Sequence, residues 1–371
     1  SGQYALGIFL DFSKAFDTVN HEILLQKLEF YGIRGTAKSW LQDYLTDRSQ
    51  FVSYDGAKSS HKQVTCGVPQ GSILGPLLFL IYVNDLAQIS EELFTIIFAD
   101  DTNIFITGDN LESMTQTMNQ NLDKLVEWLN ANKLSLNVKK TNYMIFAPKN
   151  KPTQDLKIMI GDETLSRVKE TKFLGVILDQ NLSWSAHILH TKTKIGKTIG
   201  ILYKARKTLG RKYLINLYNT LILPYFSYCN IIWGGSSESI LSPLVKLQKR
   251  AIRCICSISK YTSTSSYFKN TRILKLSDIH QYATLIFMFN FKRGLLPSMF
   301  NNFFRYNYEV HSYQTRQNHK FNVPKIRNNV SKSFIKYKGV DLWNKSEKSL
   351  DCNVSLSTFK KKLKKFLTTD Y

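Results

Sequence analysis

The stretch "IIFADDTNIFI", Ile96 to Ile106, sets two adjacent carboxylates, Asp100 and Asp101, between two short apolar runs. Ile96-Ile97-Phe98 and Ile104-Phe105-Ile106 read as strands, with Ala99 to Asn103 as the turn between them. Asp is at home in a turn because its side chain bonds the local backbone. Taken alone, the stretch predicts a hairpin and nothing more. Its meaning depends on a second strand, Leu6 to Leu10 in "LGIFLDFSKAFDTVNH", which delivers Asp11 at its end. If both strands lie in one sheet, three carboxylates converge at one edge.

Three like charges repel, and burial worsens the cost. A pair of divalent cations resolves it. Oxygen-only ligands suit Mg²⁺, which keeps waters and takes phosphate oxygens. Two such ions, about 3.5–4 Å apart, can activate a hydroxyl and stabilise the leaving oxygen in phosphoryl transfer.

Two further stretches bear on the same chemistry. In "CGVPQGSILGPLLF", Cys66 to Phe79, Gly67, Gly71 and Gly75 with Pro69 and Pro76 punctuate a loop leading into an apolar segment. Such glycines permit close backbone approach to a ligand, a helix start favours anions, and Gln70 can bond a sugar or base. The run Leu77 to Val83 then reads as a buried helix or strand. In "LSLNVKKTNYMIF", Leu134 to Phe146, Lys140 leads into the strand Tyr143 to Phe146. A lysine there can protonate or stabilise a pyrophosphate leaving group.

The remaining composition bounds the class. With 371 residues, 43% of them apolar, the chain can build two or three domains. No apolar run approaches the ~20 residues of a membrane span. The chain lacks an initiator Met and a signal peptide and is in strand-like sequence by Tyr4, which reads as a piece of something longer. Cys66, Cys229, Cys254, Cys256 and Cys352 make no disulfide framework or zinc spacing, and are expected as reduced, buried thiols of an intracellular protein. His187 and His190, on a predicted helix, are expected at the surface.

Fifty Lys and Arg against 28 Asp and Glu give a net charge of +22, which favours polyanionic partners. Up to about residue 148 the charges are nearer balance, and beyond Lys149 bases dominate. Lys149 to Gln154 is a polar connector, Lys157 to Val168 a hairpin turning at Gly161-Asp162, and Thr171 to Leu178 a strand. Helices are expected over Trp184 to Leu209, Arg211 to Leu223 (stopped by Pro224) and Ile240 to Ile255. Gly196 and Gly200 weaken the first by about 1 kcal/mol each and leave room for another backbone. Leu356, Phe359, Leu363, Phe366 and Leu367 form an apolar stripe among Lys360, Lys361, Lys362, Lys364 and Lys365, an amphipathic basic helix.

The ordered set LDFSKAFD, GVPQGSILGP, FADD, LNVKKT and KFLGV resembles the palm motifs of reverse transcriptases, most of all those of non-LTR (LINE-type) retrotransposons of the Jockey or CR1 kind. It covers about residues 4 to 180. The resemblance implies an α+β chain: a right-hand polymerase palm (an antiparallel sheet with helices) over 1–180, a helical thumb over 181–260, and a basic C-terminal extension over 261–371.

The resemblance also implies roles. Asp11, Asp100 and Asp101 would be the metal-binding catalytic carboxylates, with Phe12 lending its backbone carbonyl to a metal. Phe16 would be the gate against a 2′-hydroxyl, and Gln70 and Gly71 would touch nucleotide and template. Lys140 would sit by the pyrophosphate, and Phe173, Leu174 and Gly175 would form the primer grip. The implied activity is RNA-directed DNA polymerisation with two Mg²⁺, or Mn²⁺ in their place. The implied partners are an RNA template, a DNA primer or target, RNA–DNA hybrid and deoxynucleoside triphosphates, with no membrane. The implied setting is a ribonucleoprotein of cytoplasm and nucleus.

Fingers motifs do not precede LDFSKAFD, so the chain alone is expected to bind RNA but polymerise poorly. The competing reading is a non-catalytic RNA-binding remnant of a decayed element.

Overall fold

A computed structural model describes residues 2–148, 151–310, 316–326, 329–350 and 352–369. They form two compact units, Ser1–Leu182 and Ser183–Tyr371.

The first unit is built on one sheet. Its strands are β1 (Tyr4–Asp11), β2 (Phe94–Phe98), β3 (Asp101–Gly108), β4 (Asn142–Phe146) and β5 (Ser166–Arg167). Their order is β5-β4-β1-β3-β2, with every pairing antiparallel except β5 with β4. β1 is central, which explains why it reads as an almost unbroken apolar run: both of its faces are covered.

One face carries Leu6, Ile8 and Leu10 into a core with Ile104, Tyr143 and Ile145. Four helices complete that core: α1 (His21–Phe30), α2 (Gly35–Leu45), α3 (Leu74–Val83) and α4 (Leu111–Ala131). α4 begins where the Asn110 side chain accepts the N–H of Glu112 at 2.7 Å, and it buries Met114, Met118, Leu122, Leu125 and Leu129 at helical spacing. The other face of β1 is aromatic. Phe9 meets Phe105 edge-on at 5.9 Å between ring centroids.

Several expectations change in detail. β2 and β3 are joined by only Ala99 and Asp100, because Phe98 pairs directly with Asp101; Asp101 to Asn103 are strand, not turn. The apolar run at 77–83 belongs to a helix that begins before Pro76, whose missing N–H costs nothing in a first turn. It is buried on one side only, since Leu77 and Leu80 are exposed. Thr171 to Leu178 is not one strand but a hairpin of β6 (Glu170–Phe173) and β7 (Val176–Asp179), broken where Leu174 and Gly175 both take positive φ. The turn at Gly161-Asp162 is as expected, between Met159–Ile160 and Glu163–Thr164. Lys149 and Asn150 lie outside the described residues. Farther along the connector, the Pro152 carbonyl accepts the Tyr4 hydroxyl at 2.9 Å.

In the second unit, described residues form α5 (Ser185–Ala205), α6 (Arg211–Leu221), α7 (Leu223–Ser227), α8 (Asn230–Trp233) and α9 (Glu238–Cys256). α10 (Ser265–Thr271), α11 (Leu276–Lys292), α12 (Asn307–Val310), α13 (Asn329–Ser333), α14 (Ile335–Ser346) and α15 (Leu356–Leu367) follow. α5 packs along α9, and α11 along α14 and α15. The buried Gln248 side chain brackets three elements: its amide donates to Tyr218 and to the Leu274 carbonyl, and its oxygen accepts the Leu276 N–H.

The helix expected up to Leu223 ends at Leu221, and Pro224 falls in the first turn of α7, where its fixed φ suits. His187 is buried against Trp233 rather than exposed, and burial holds its imidazole below the usual histidine range. Of the cysteines only Cys254 is fully buried and Cys66 is exposed. Phe366 lies outside the buried stripe of α15, which is Phe359, Leu363 and Leu367. Nothing among the described residues approaches within 4 Å of a Cβ added at Gly196 or Gly200, so neither serves a close approach.

The contrast between glycines is testable. A Cβ at Gly7 would meet the Phe105 ring at 2.7 Å, so Gly7→Ala is expected to destabilise by about 1–3 kcal/mol through overpacking. Gly196→Ala and Gly200→Ala are each expected to stabilise by up to about 1 kcal/mol. Urea denaturation of the three variants checks both signs.

Candidate active site

The sheet's alternation decides which side chains share a face. Asp11 of β1 pairs directly with Asp101 of β3, and Phe9 pairs with Asn103 on one side and Asn142 on the other. Two carboxylates and two amides therefore line one face, at the edge where β1 ends. A one-residue slip would place Thr102 opposite Asp11 and turn Asp101 toward the core. Gly7 opposes Phe105 in the same register, and the ring over the bare glycine opposes such a slip.

The end of β1 is fixed from the other side by the stretch that carries Lys140. The Asn137 N–H donates to the Asp11 carbonyl at 2.7 Å, and the Thr141 hydroxyl accepts the Asp11 N–H at 3.2 Å. Buried Phe12 bridges to Leu136. This leaves the Asp11 carboxylate half-exposed, with Lys140 Nζ 3.8 Å from it.

A small cavity of about 120 Å³ collects the result. Asp11, Asp101 and Lys140 line it with Asn103 and Asn142 of the same face. The tip of the β6–β7 hairpin closes it with Lys172, Phe173 and Leu174. Phe173 also meets Phe9, at 6.4 Å between centroids. Asn142 Oδ1 is buried there without a hydrogen-bond partner among the described residues, an acceptor left over in a site that already holds two carboxylates.

Asp100 occupies the two-residue turn, exposed, beside Ala99, whose φ of +52° is costly for a residue with a side chain. The Asp101 carboxyl is held above its ordinary range, first by burial and then by the charges of Asp100 and Asp11, with Lys172 opposing. Among the described residues no three carboxylate, His or Cys side chains are gathered closely enough to hold a metal ion. The expected convergence is thus a face-to-face pair, Asp11 and Asp101, with Asp100 adding field from the turn. A pair is a sufficient protein contribution for Mg²⁺, which takes one or two carboxylates and fills the rest with water and phosphate oxygens. The donor set fits such an ion, and the raised Asp101 carboxyl and the orphaned Asn142 oxygen are what its charge would relieve.

Gln70 lies elsewhere in the same unit. The GVPQG loop is docked on the loop after β1: Val68 N–H donates to the Phe16 carbonyl and Gly67 N–H to the Val19 carbonyl, each at 2.8 Å. Gly67 is required there, because a Cβ would meet the Asp17 backbone at 2.8 Å and its φ is +88°. The Gln70 amide donates to the Asp17 carboxylate at 3.0 Å. Both line a second cavity, of about 750 Å³, with Lys14 and Arg48. Gly71 is exposed with φ +81°. The Phe16 ring is half-buried, stacked on Phe79 at 4.4 Å.

Sequence reasoning missed Asn103, Asn142, Lys172, Lys14 and Arg48. Asn142 stands at the start of a buried strand, and that position of a polar residue was its signal; Lys172, exposed within a short strand, carried none. No sequence signal marks Arg48.

Residues 1–178 match the family described as reverse transcriptase (RNA-dependent DNA polymerase). Three curated relatives are similar over most of the chain. The RNA-directed DNA polymerase from mobile element jockey of Drosophila melanogaster is 28% identical over 294 residues, 74% of this chain. Its Drosophila funebris counterpart is 29% identical over 287 residues, also 74%. The probable RNA-directed DNA polymerase from transposon X-element of Drosophila melanogaster is 25% identical over 291 residues, 75% of this chain. The chain spans 31% of the length of each. The telomerase of Candida albicans, solved with a fragment of telomeric RNA, aligns at a TM-score of 0.40 and 15% identity. That alignment covers 75% of this chain and 45% of that one, a likeness too slight to bear on the fold.

Asp101 supplies a test that separates site from scaffold. Its carboxyl is raised in the folded chain, so the ionised form is penalised at neutral pH and the penalty disappears once the group is protonated. Asp101→Asn is therefore expected to be more stable than the parent at pH 7. The gain should shrink as pH falls toward the ordinary carboxylate value near 4. Thermal melts across pH 4–8 read this; an Asn variant less stable at pH 7 contradicts it.

Proposed function

From the premise that the chain belongs, through residues 1–178, to the reverse transcriptase family, we propose that it is the catalytic part of an RNA-directed DNA polymerase of a non-LTR retrotransposon. The observation that carries this reading is the single cavity holding Asp11, Asp101, Lys140 and the Phe173–Leu174 tip.

In this reading Asp11 and Asp101 hold a divalent metal pair, Mg²⁺ in the first instance, with Asp100 contributing charge and the Phe12 carbonyl a further oxygen. The ions, when bound, lower the barrier to attack by the primer 3′-hydroxyl and neutralise charge on the leaving oxygen. Lys140, exposed and 3.8 Å from Asp11, is free to swing toward the pyrophosphate and offset its charge or supply a proton. Leu174 and Gly175, at the left-handed tip of a two-residue turn, hold the primer end against the carboxylate pair, with Phe173 anchored on Phe9.

Gln70 and Gly71 face the incoming nucleotide and template. Lys14 and Arg48, in the cavity with Gln70, supply positive charge for its phosphates. Phe16, held by Phe79, bounds the sugar. Residues 183–371 carry 33 Lys and Arg against 7 Asp and Glu. This helical unit tracks the phosphates of template and hybrid without reading bases, as thumb over 181–260 and basic extension over 261–371.

The test is primer extension on a primed RNA template with Mg²⁺, run with this chain and with the chain joined to any coding sequence upstream in frame. Extension is expected from the longer chain and is expected to fall by at least a thousandfold in Asp11→Asn, as loss of a metal-binding carboxylate removes several kcal/mol of transition-state stabilisation. Extension undiminished in Asp11→Asn would sink the proposal. A second outcome concerns Phe16: Phe16→Ala is expected to raise ribonucleotide relative to deoxyribonucleotide incorporation. An unchanged ratio removes its role at the sugar.

A further inference from the structure

The second unit contains a cleft that the carboxylate chemistry does not use. Lys269 and Arg272, at the end of α10, and Lys361, Lys364 and Lys365, on α15, line an open cavity of about 720 Å³ with Thr368 and Thr369. Among the described residues no acidic side chain lines it, and none of the five cations forms an ion pair. Lys361, Lys364 and Lys365 stand at i, i+3 and i+4, which puts three like charges on one helix face, a spacing that weakens an isolated helix. Both helices end here, and their C-terminal dipoles favour nearby cations. Two half-charges do not balance five whole ones, so the cleft keeps a strong positive field.

α15 is held in place by its other face. Phe359 stacks on Phe289 at 4.2 Å between centroids, and Phe359, Leu363 and Leu367 are buried. An amphipathic helix whose apolar face is already in a protein core cannot also lie in a lipid interface. The cations line a cleft of about 720 Å³, too large for one phosphate and roomy enough for several.

We infer that the cleft between the end of α10 and α15 is a binding site for the phosphodiester backbone of single-stranded RNA, independent of base sequence. It rests on the proposal that the chain acts on nucleic acid, and it assigns part of that grip to five named cations. The hydroxyls of Thr368 and Thr369 already donate to helix carbonyls, so the lysines and the arginine supply the donors.

The experiment compares the parent chain with K361A/K364A/K365A and with K124A/K157A/K169A, which removes the same charge from exposed positions of the first unit. Alanine preserves helix, and circular dichroism confirms the fold. Affinity for an unstructured RNA oligonucleotide is measured from 50 to 200 mM salt. The cleft variant is expected to lose at least tenfold in affinity at 100 mM and to reduce the slope of log K against log salt by about 2, near 0.7 per phosphate released. The charge-matched control is expected to change by less than threefold.

Equal losses in both variants overturn the site, since net charge alone then explains binding. Loss of binding to phosphatidylserine vesicles without loss of RNA binding also overturns it, in favour of a lipid surface. Primer extension with the parent and the cleft variant, each also joined to any coding sequence upstream in frame, keeps the two proposals apart. A chain that extends while the cleft variant binds RNA normally refutes the cleft and leaves the polymerase. A cleft variant that loses RNA binding while the longer chain does not extend supports the cleft and refutes the polymerase.

Discussion

Everything at the candidate active site depends on the register of β1 against β3. The two strands place Asp11 opposite Asp101, and period-two alternation then assigns Phe9, Asn103 and Asn142 to the same face. A sheet cannot adjust this by small amounts, since the next register inverts every side chain. The chain therefore spends its most restrictive residues on holding it: Gly7 under the Phe105 ring, a two-residue turn with Ala99 at positive φ, and a buried apolar row on the opposite face. The electrostatic cost at Asp101 is carried by that scaffold rather than relieved by it.

The same logic explains why separate sequence stretches meet. The loop after β1 is met by two visitors. The segment carrying Lys140 bonds to Asp11 and Ser13, and the GVPQG loop bonds to Phe16 and Val19. These are backbone hydrogen bonds, indifferent to side-chain identity, so glycine and proline placement decides whether they form. Gly67 and Gly75 are present where a Cβ would strike the Asp17 backbone and the Pro69 carbonyl, at 2.8 Å and 2.5 Å. A loop that looks like ligand-binding glycine in sequence is thus partly a packing device. Gly71, by contrast, has open space around it.

Charge is divided between the two units as sharply as structure is. The first holds the neighbouring carboxylates Asp11, Asp100 and Asp101, and the second holds most of the bases, 33 of 50. An acidic centre suits metal-assisted chemistry on phosphates, and a basic helical unit suits long polyanions. The same division gives the second unit cations to spare at the end of α15, where its core does not require them.

Local patterns determined much of this in advance. β1, the helices α5, α6, α9 and α15, the hairpin at Gly161-Asp162 and the candidate carboxylates were legible because apolar periodicity and strand-end acids are properties of neighbouring residues. What they could not determine was pairing. Whether Thr171 to Leu178 is one strand or two rests on Leu174 taking a left-handed conformation that its side chain disfavours. His187 looked like a surface residue until helix packing buried it against Trp233. Lys172, Asn103 and Asn142 became site residues only when three strands and a hairpin tip were brought to one cavity. The types of residue and their order were written in the chain, while their company was decided by register and packing, which join residues more than a hundred positions apart that no local pattern connects.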